Sequence, residues 1–375
     1  MSETKTNAKT TPSRNATSKA PAVKRGEEDR GLTKNALLLG IDLGTSRSAI
    51  VSMNGPRKVI ESYVGWPKDS ISRKHLNADI LFGKAALDNR LALDLFRPLE
   101  KGVIKGTNDG ASPKEHSRNL EAAAELVRYL VSLVAPGRDD VLFGVVGVPA
   151  QASDKNKQGI LEATRGSLDS VMIVSEPFAV AYGLERINDV LVLDIGAGTT
   201  DLCRMHGTVP SAEDQTSFEI AGDAIDQKLF DLITKSFPEA QLTVNMCKQF
   251  KEQYGFVSDQ TEKIEVSLPV DGKPIMHDIT AQLKEACSII IAPILEGIHK
   301  LVASHNPEFQ EVLRQNGILS GGGALLNGLN KQIEDGLGEL GGGRVSVAEE
   351  PLFAGAHGAL QLAVDMPSEY WQQLS

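Results

Sequence analysis

The sequence predicts an α/β fold of two duplicated halves, each a mixed sheet with helices and a small insertion. Three observations carry that prediction. "LGIDLGTS" (residues 39–46) returns in altered form as "LDIGAGTTD" (residues 193–201), each time behind an apolar run and ahead of a second strand-like run. Each turn is followed by an irregular stretch and by helical periodicity, so the plan is repeated as well as the motif. With 375 residues the chain is long enough to bury two separate cores.

Taken in order, residues 1–34 hold eight Lys or Arg against four Asp or Glu and almost no large apolar residues. They read as a disordered basic tail, suited to an acidic partner or anionic lipid if it docks at all. The first half is expected over residues 35–182. "ALLLGIDLGTS" and "SAIVSM" form a hairpin there, and an irregular insertion runs from about 54 to 103. Apolar residues from Leu120 to Val134 then recur at helical spacing until Pro136 and Gly137 stop the run. "VLFGVVGVPA" reads as a buried strand, followed by a helix from Asp154 and the strand "VMIVSEP".

The second half, residues 183–365, opens with the strand, glycine turn and strand of "NDVLVLDIGAGTTDLC". An insertion is expected at about 211–279, then one long helix over 281–303 bent at Pro293. "ILSGGGALLNG" gives another strand and turn, "AGAHGALQLAVD" a last helix, and residues 366–375 a C-terminal tail.

Composition excludes several classes. A formal net charge of −10 repels a duplex, so direct nucleic-acid binding is not expected. Three scattered cysteines and seven histidines without ligand spacing argue against a disulfide framework or structural zinc and fit a reducing cytoplasm. No apolar run is read as reaching the ~18 residues of a membrane span, so no transmembrane insertion is expected. The P-loop motif G-x-x-x-x-G-K-[ST] does not occur, and "GAGTTD" carries Asp201 where a dinucleotide fingerprint needs its third glycine.

The repeated turn has its own chemistry. Glycines let backbone amides approach an anion, and Thr or Ser adds hydroxyl donors. An aspartate just ahead would repel phosphate unless a cation lies between, which suits Asp42 and Asp194 to holding the waters of a phosphate-bound Mg2+. Two such turns facing each other would clamp a polyphosphate, although each alone is no more than a tight hairpin.

In this order "LLLGIDLGTS", "VLVLDIGAGTTDL", "ILSGGGALLNG" and "GAHGALQLA" resemble the two phosphate segments, the adenosine segment and the connecting segment of the superfamily of actin, sugar kinases and heat-shock chaperone ATPases. The resemblance covers residues 36–365. Segments outside these motifs, "GWPKDSI", "GVPAQASDKNK", "VSEPFAVAYGL", "GTVPSAEDQ" and "EYWQQL", are similar to bacterial actins, and most to their magnetosome-associated branch.

The resemblance implies an actin-like fold with two five-stranded sheets around a nucleotide cleft that binds ATP or ADP with Mg2+. It implies that Asp42 and Asp194 orient Mg2+ through water, and that Gly44, Thr45, Ser46, Gly196, Gly198, Thr199 and Thr200 contact phosphates. Glu176 would orient the attacking water, with Asp201 beside it. Without the resemblance, Glu176 reads as a helix N-terminal acid ahead of Pro177. Gly321, Gly322 and Gly323 would approach adenine and ribose, Lys251 and Glu252 would border the nucleoside, and Gly222 and Asp223 would lie near ribose or phosphates. The implied function is an ATPase that assembles head to tail into cytoplasmic filaments and positions magnetosome vesicles through membrane adaptor proteins. A small-molecule kinase, a chaperone and a membrane scaffold are the competing classes. The sequence shows no sugar-kinase signature, no peptide-binding domain after the last motif and no basic amphipathic end.

Overall fold

The computed structural model describes residues 35–107, 112–259 and 262–374. The basic tail expected over 1–34 lies outside the described residues.

The first half begins with β1 (Ala36–Leu43), β2 (Arg47–Ser52) and β3 (Arg57–Glu61), antiparallel neighbours in that order. Then follow β4 (Val64–Pro67), α1 (Ser70–Leu76), β5 (Leu81–Phe82), α2 (Gly83–Asp88) and β6 (Leu93–Phe96), which form a small three-stranded subdomain ordered β5-β4-β6. A short hairpin, β7 (Leu99–Glu100) and β8 (Val103–Ile104), leads back to α3 (Pro113–Ser132). Ser112 caps α3 by accepting from the Glu115 N–H, and Pro113 occupies its first turn. The chain returns through β9 (Val141–Val148), α4 (Asp154–Thr164), β10 (Ser170–Ser175) and α5 (Glu176–Gly183). The sheet order is β10-β9-β1-β2-β3, with β1, β9 and β10 parallel. Since β3 is a strand of this sheet, the insertion starts after Glu61 rather than at 54.

The second half repeats the plan with β11 (Asn188–Ile195), β12 (Thr200–His206) and β13 (Gln215–Phe218), then α6 (Gly222–Ser236), α7 (Val244–Tyr254) and the hairpin β14 (Glu265–Val270) and β15 (Lys273–Asp278). After α8 (Thr280–Ser288), α9 (Ile291–Ala303) and α10 (Gln310–Arg314) come β16 (Gly317–Ser320), α11 (Leu329–Gly336) and β17 (Val345–Val347). Its sheet order, β13-β12-β11-β16-β17, matches the first strand for strand. Here too the expected insertion limit moves, because β13 and the start of α6 belong to the main body.

The helix expected over 281–303 is two helices that break at Ile289 and Ile290. Pro293 lacks an N–H and its ring crowds the carbonyl four residues back, which is that of Ile289. Within Thr280–Ala303 an 18-residue window reaches a mean hydropathy of 1.6, long and apolar enough to cross a membrane, a property the sequence reading missed. In the fold its apolar residues Leu283, Ile290, Ile294, Ile298 and Leu301 fill the core of the second half.

The chain ends with α12 (Ala354–Asp365) and α13 (Ser368–Leu374). Both pack on the first sheet: Ala356, Ala359, Leu360 and Trp371 share a cluster with Leu38, Phe143 and Val145. Residues 354–365 therefore belong by packing to the first half, and the expected C-terminal tail carries the helix Ser368–Leu374, docked through Trp371. Trp371 is fully buried, 5.2 Å from the Phe143 ring. Where α12 crosses α5, glycines permit the approach: a Cβ on Gly183 would sit 2.6 Å from the Gly358 Cα.

Candidate functional site

Duplication places two equivalent strand ends side by side. Asp42 and Asp194 occupy corresponding positions near the C-terminal ends of the central strands β1 and β11, and each strand is followed by a glycine turn. The turns face a cleft of about 1070 Å3 lined by both halves, including Asp42, Gly44, Thr45, Ser46, Glu176, Asp194, Gly196, Gly198, Thr199, Gly222, Asp223, Lys251, Glu252 and Gly321 to Gly323. At its floor the turns nearly touch: a Cβ on Gly198 would lie 2.5 Å from Thr45 Oγ1 and 2.6 Å from the Lys101 Cα.

Asp42, Glu176 and Asp194 line this floor, and a fourth carboxyl, the buried Asp201, lies behind it. Burial pushes Asp42 up to about 6. Burial and the Asp42 charge push Asp194 up to about 7, opposed by the Ser320 hydroxyl, which donates to Asp194 Oδ1 over 2.7 Å. Glu176 begins α5 directly after β10 and is raised well above the usual range by burial and then by Asp42, Asp194 and Asp201. Asp201 sits opposite Asp194 in the β11–β12 register; burial raises it, while bonds from the Thr199 side chain, the Ala150 N–H (2.8 Å) and the Ser217 side chain hold it down.

A group of like charges taken out of water calls for a counter-charge. Among the described residues no three His, Cys, Asp or Glu side chains converge closely enough to hold a metal directly. Carboxylates held apart fit Mg2+ that keeps its own waters and meets the protein through them. The glycine turns supply amides and hydroxyls for the anion such a cation accompanies.

Not every expected residue presents its polar atoms to the cleft. Thr200 does not line it; the side chain is fully buried and its hydroxyl donates to the Ile220 carbonyl over 2.9 Å, because alternate residues of β12 point to opposite faces. Asp201 likewise lies behind the wall, in reach of Glu176 by charge. Thr45 Oγ1 accepts from the Gly102 N–H over 2.9 Å. Lys251 donates to the Gly222 carbonyl and pairs with Asp226, both over 2.7 Å, so its ammonium buttresses the α6 N-terminus. Asp226 is still pushed up to about 6, burial outweighing the lysine. Glu252 pairs with Arg47 over 2.8 Å, and both Asp223 oxygens accept from Arg97 Nη2 at 2.9 and 2.6 Å.

Sequence reasoning missed Arg47, Arg97, Lys248, Asp226 and Ser320. Lys248 donates to Ser46 Oγ over 2.6 Å. Its position three residues before Lys251 on α7 puts both on one helical face, a signal that could have been read. Arg97 stands 126 residues from its partner in an irregular stretch, where no periodicity points to it.

Comparison with known proteins now bears on this geometry. The family model described as MreB/Mbl protein matches residues 36–369. The actin-like protein MamK of Paramagnetospirillum magneticum is 39% identical over 347 residues, which is 92% of this chain and 98% of that protein. Among solved structures, the MamK double helical filament superposes with a TM-score of 0.84 at 38% identity, covering 89% of this chain and 100% of the filament chain. A non-polymerising MamK mutant bound to AMPPNP gives a TM-score of 0.66 at 38% identity over 88% of this chain and 99% of its own. With its two matching five-stranded sheets and its cleft between them, the chain is a member of the MreB/Mbl family of bacterial actin-like proteins.

Proposed function

We propose that this protein binds Mg-ATP in the cleft, hydrolyses it, and assembles head to tail into cytoplasmic filaments that organise magnetosome vesicles through membrane adaptors. The observation that carries the reading is the floor lined by Asp42, Glu176 and Asp194 between two facing glycine turns, with Asp201 behind it, an arrangement of little use without a cation and an anion to complete it. The similarity to filament-forming MamK supports the assembly step and its setting.

In this reading residues 35–182 and 183–365 form the two halves that clamp the nucleotide, with α12 returning to the first. The amides of Gly44, Gly196 and Gly198, with the Ser46 and Thr199 hydroxyls, bind phosphates, while Gly321 to Gly323 let the backbone approach the nucleoside. Asp42 and Asp194 hold the water shell of Mg2+, whose charge, when bound, neutralises that developing on the phosphates. Glu176, kept near the floor by its place at the start of α5, accepts a hydrogen bond from the attacking water and aligns it; Asp201 keeps its charge environment negative. Phosphoanhydride cleavage needs mostly such positioning and charge stabilisation.

The test is ATP-dependent pelleting with electron microscopy and parallel phosphate release, comparing the parent with Glu176→Ala. Filaments from both, with phosphate release reduced ~10²-fold or more in the variant, support the assignment. A parent that binds Mg-ATP but never assembles across salt and concentration removes the filament reading and directs attention to phosphoryl transfer onto small acceptors.

A further inference from the structure

Three ion pairs cross beside the cleft, and all have the same polarity. Arg47, Arg97 and Lys101 extend from the first half to Glu252, Asp223 and Glu219 of the second, at 2.8, 2.6 and 2.6 Å. Lys248 adds a bond in the other direction, to Ser46 Oγ. Arg97 is the anchor. Its Nη2 meets both Asp223 oxygens, while its Nε donates to the Thr45 carbonyl over 2.7 Å, fixing the guanidinium to the first glycine turn. A guanidinium held at three points loses little further freedom, and its bonds to a carboxylate are charge-assisted. Arg97 and Lys101 belong to one stretch, and Lys101 lies against Gly198 of the opposite turn. The stretch 97–101 thus straps the two glycine turns together and is tied to the second half at both ends.

Resting on the nucleotide-binding reading above, we infer that this strap is an electrostatic clasp whose opening sets the rate of nucleotide release, with Arg97 as its positioning residue. A polyphosphate held between the two turns leaves only when the halves part, and parting breaks these pairs together. The pairs are partly exposed, between 24% and 65% by side chain, so each alone is screened and weak. Acting on one coordinate they add, and the sum responds to ionic strength.

The experiment loads the full-length chain with a fluorescent ATP analogue and Mg2+ below its assembly concentration, then chases with unlabelled ATP. Arg97→Glu is expected to speed release about tenfold, and the double variant Arg97→Glu/Asp223→Arg to restore it to within about threefold of the parent. Release from the parent should itself accelerate between about 50 and 500 mM salt. Arg97→Glu protein with unchanged thermal stability and unchanged release overturns the clasp. Should that variant not fold, a parent rate flat across the salt range overturns it equally. An analogue that does not bind the parent removes the nucleotide reading instead. The clasp is then judged by the distance between labels placed at the exposed Lys74 and Asp271 on the two insertions. Widening with salt supports the clasp, and a constant distance refutes it.

Discussion

Ser320 and Asp194 face each other across the parallel β11–β16 pairing, both buried, and the serine hydroxyl donates to the carboxylate over 2.7 Å. That bond favours the charged aspartate against the burial and the Asp42 charge that raise it to about 7. Ser320→Ala removes it without changing the shape of the site. The acid limb of Mg-ATP binding should then move up by about one pH unit, weakening binding near neutrality and sparing it at higher pH. Nucleotide titrations at pH 7 and pH 8.5 check this, and equal losses at both values would point to a packing defect instead.

The same carboxylates make the ligand-free protein sensitive to alkali. Asp194 is raised to about 7 and Glu176 is raised well above its ordinary value, so the folded chain holds protons there that the unfolded chain releases near pH 4. The stabilisation from a raised carboxylate is complete below its unfolded pKa and is lost as pH rises through the folded one. Between about pH 6.5 and 8 the ligand-free melting temperature should therefore fall by several degrees. Burial holds His305 and His357 below the usual imidazole value, so any stability they cost is lost on the acid side and does not produce a fall with rising pH. Saturating Mg-ATP should flatten the slope, because a cation then takes the place of the protons. Thermal scans at fixed ionic strength, with and without nucleotide, decide it.

The crossing of α5 and α12 should be intolerant of any side chain. A Cβ on Gly358 would land on the Ala179 carbonyl, and neither helix backbone can yield as a side chain can. Gly358→Ala should cost about 1–3 kcal/mol in urea unfolding. Since α5 begins with Glu176, phosphate release in the surviving folded fraction should fall as well. Unchanged stability would mean that the two helices separate more easily than their packing indicates.

Much of this architecture could be read from the chain because its signals are local. The glycine turns, the apolar strands and the amphipathic helices each fall within a dozen residues, and their repetition gave the duplicated sheets. The insertion limits slipped because β3 and β13 are short edge strands, only partly buried, with little alternation to mark them. The allegiance of α12 was hidden because its partners Leu38 and Val145 lie more than 200 residues earlier. At the site, the motif residues reached the cleft in large part, but the groups that hold them did not show. Arg97, Ser320 and Asp226 act through partners set by tertiary structure, and a lone Arg, Ser or Asp carries no pattern.

Adjacent threonines give the sharpest separation between a cleft residue and a supporting one. Thr199 lines the cleft and bonds Asp201, whereas the Thr200 side chain is turned inward and donates to the Ile220 carbonyl. Thr200→Val keeps the shape, removes the donor and leaves that carbonyl unpaired, a loss of about 1–2 kcal/mol in stability. Nucleotide affinity should stay within about twofold, because no polar atom facing the cleft has changed. Thr199→Ala should do the reverse, leaving stability nearly intact while weakening nucleotide binding and phosphate release through the loss of a cleft hydroxyl and of a bond that holds Asp201 down. Urea unfolding and nucleotide titration on the two variants make the comparison. A Thr200→Val protein of parental stability that binds nucleotide poorly would show that this hydroxyl turns to the phosphates once the cleft is filled, and would return Thr200 to the place its motif suggested.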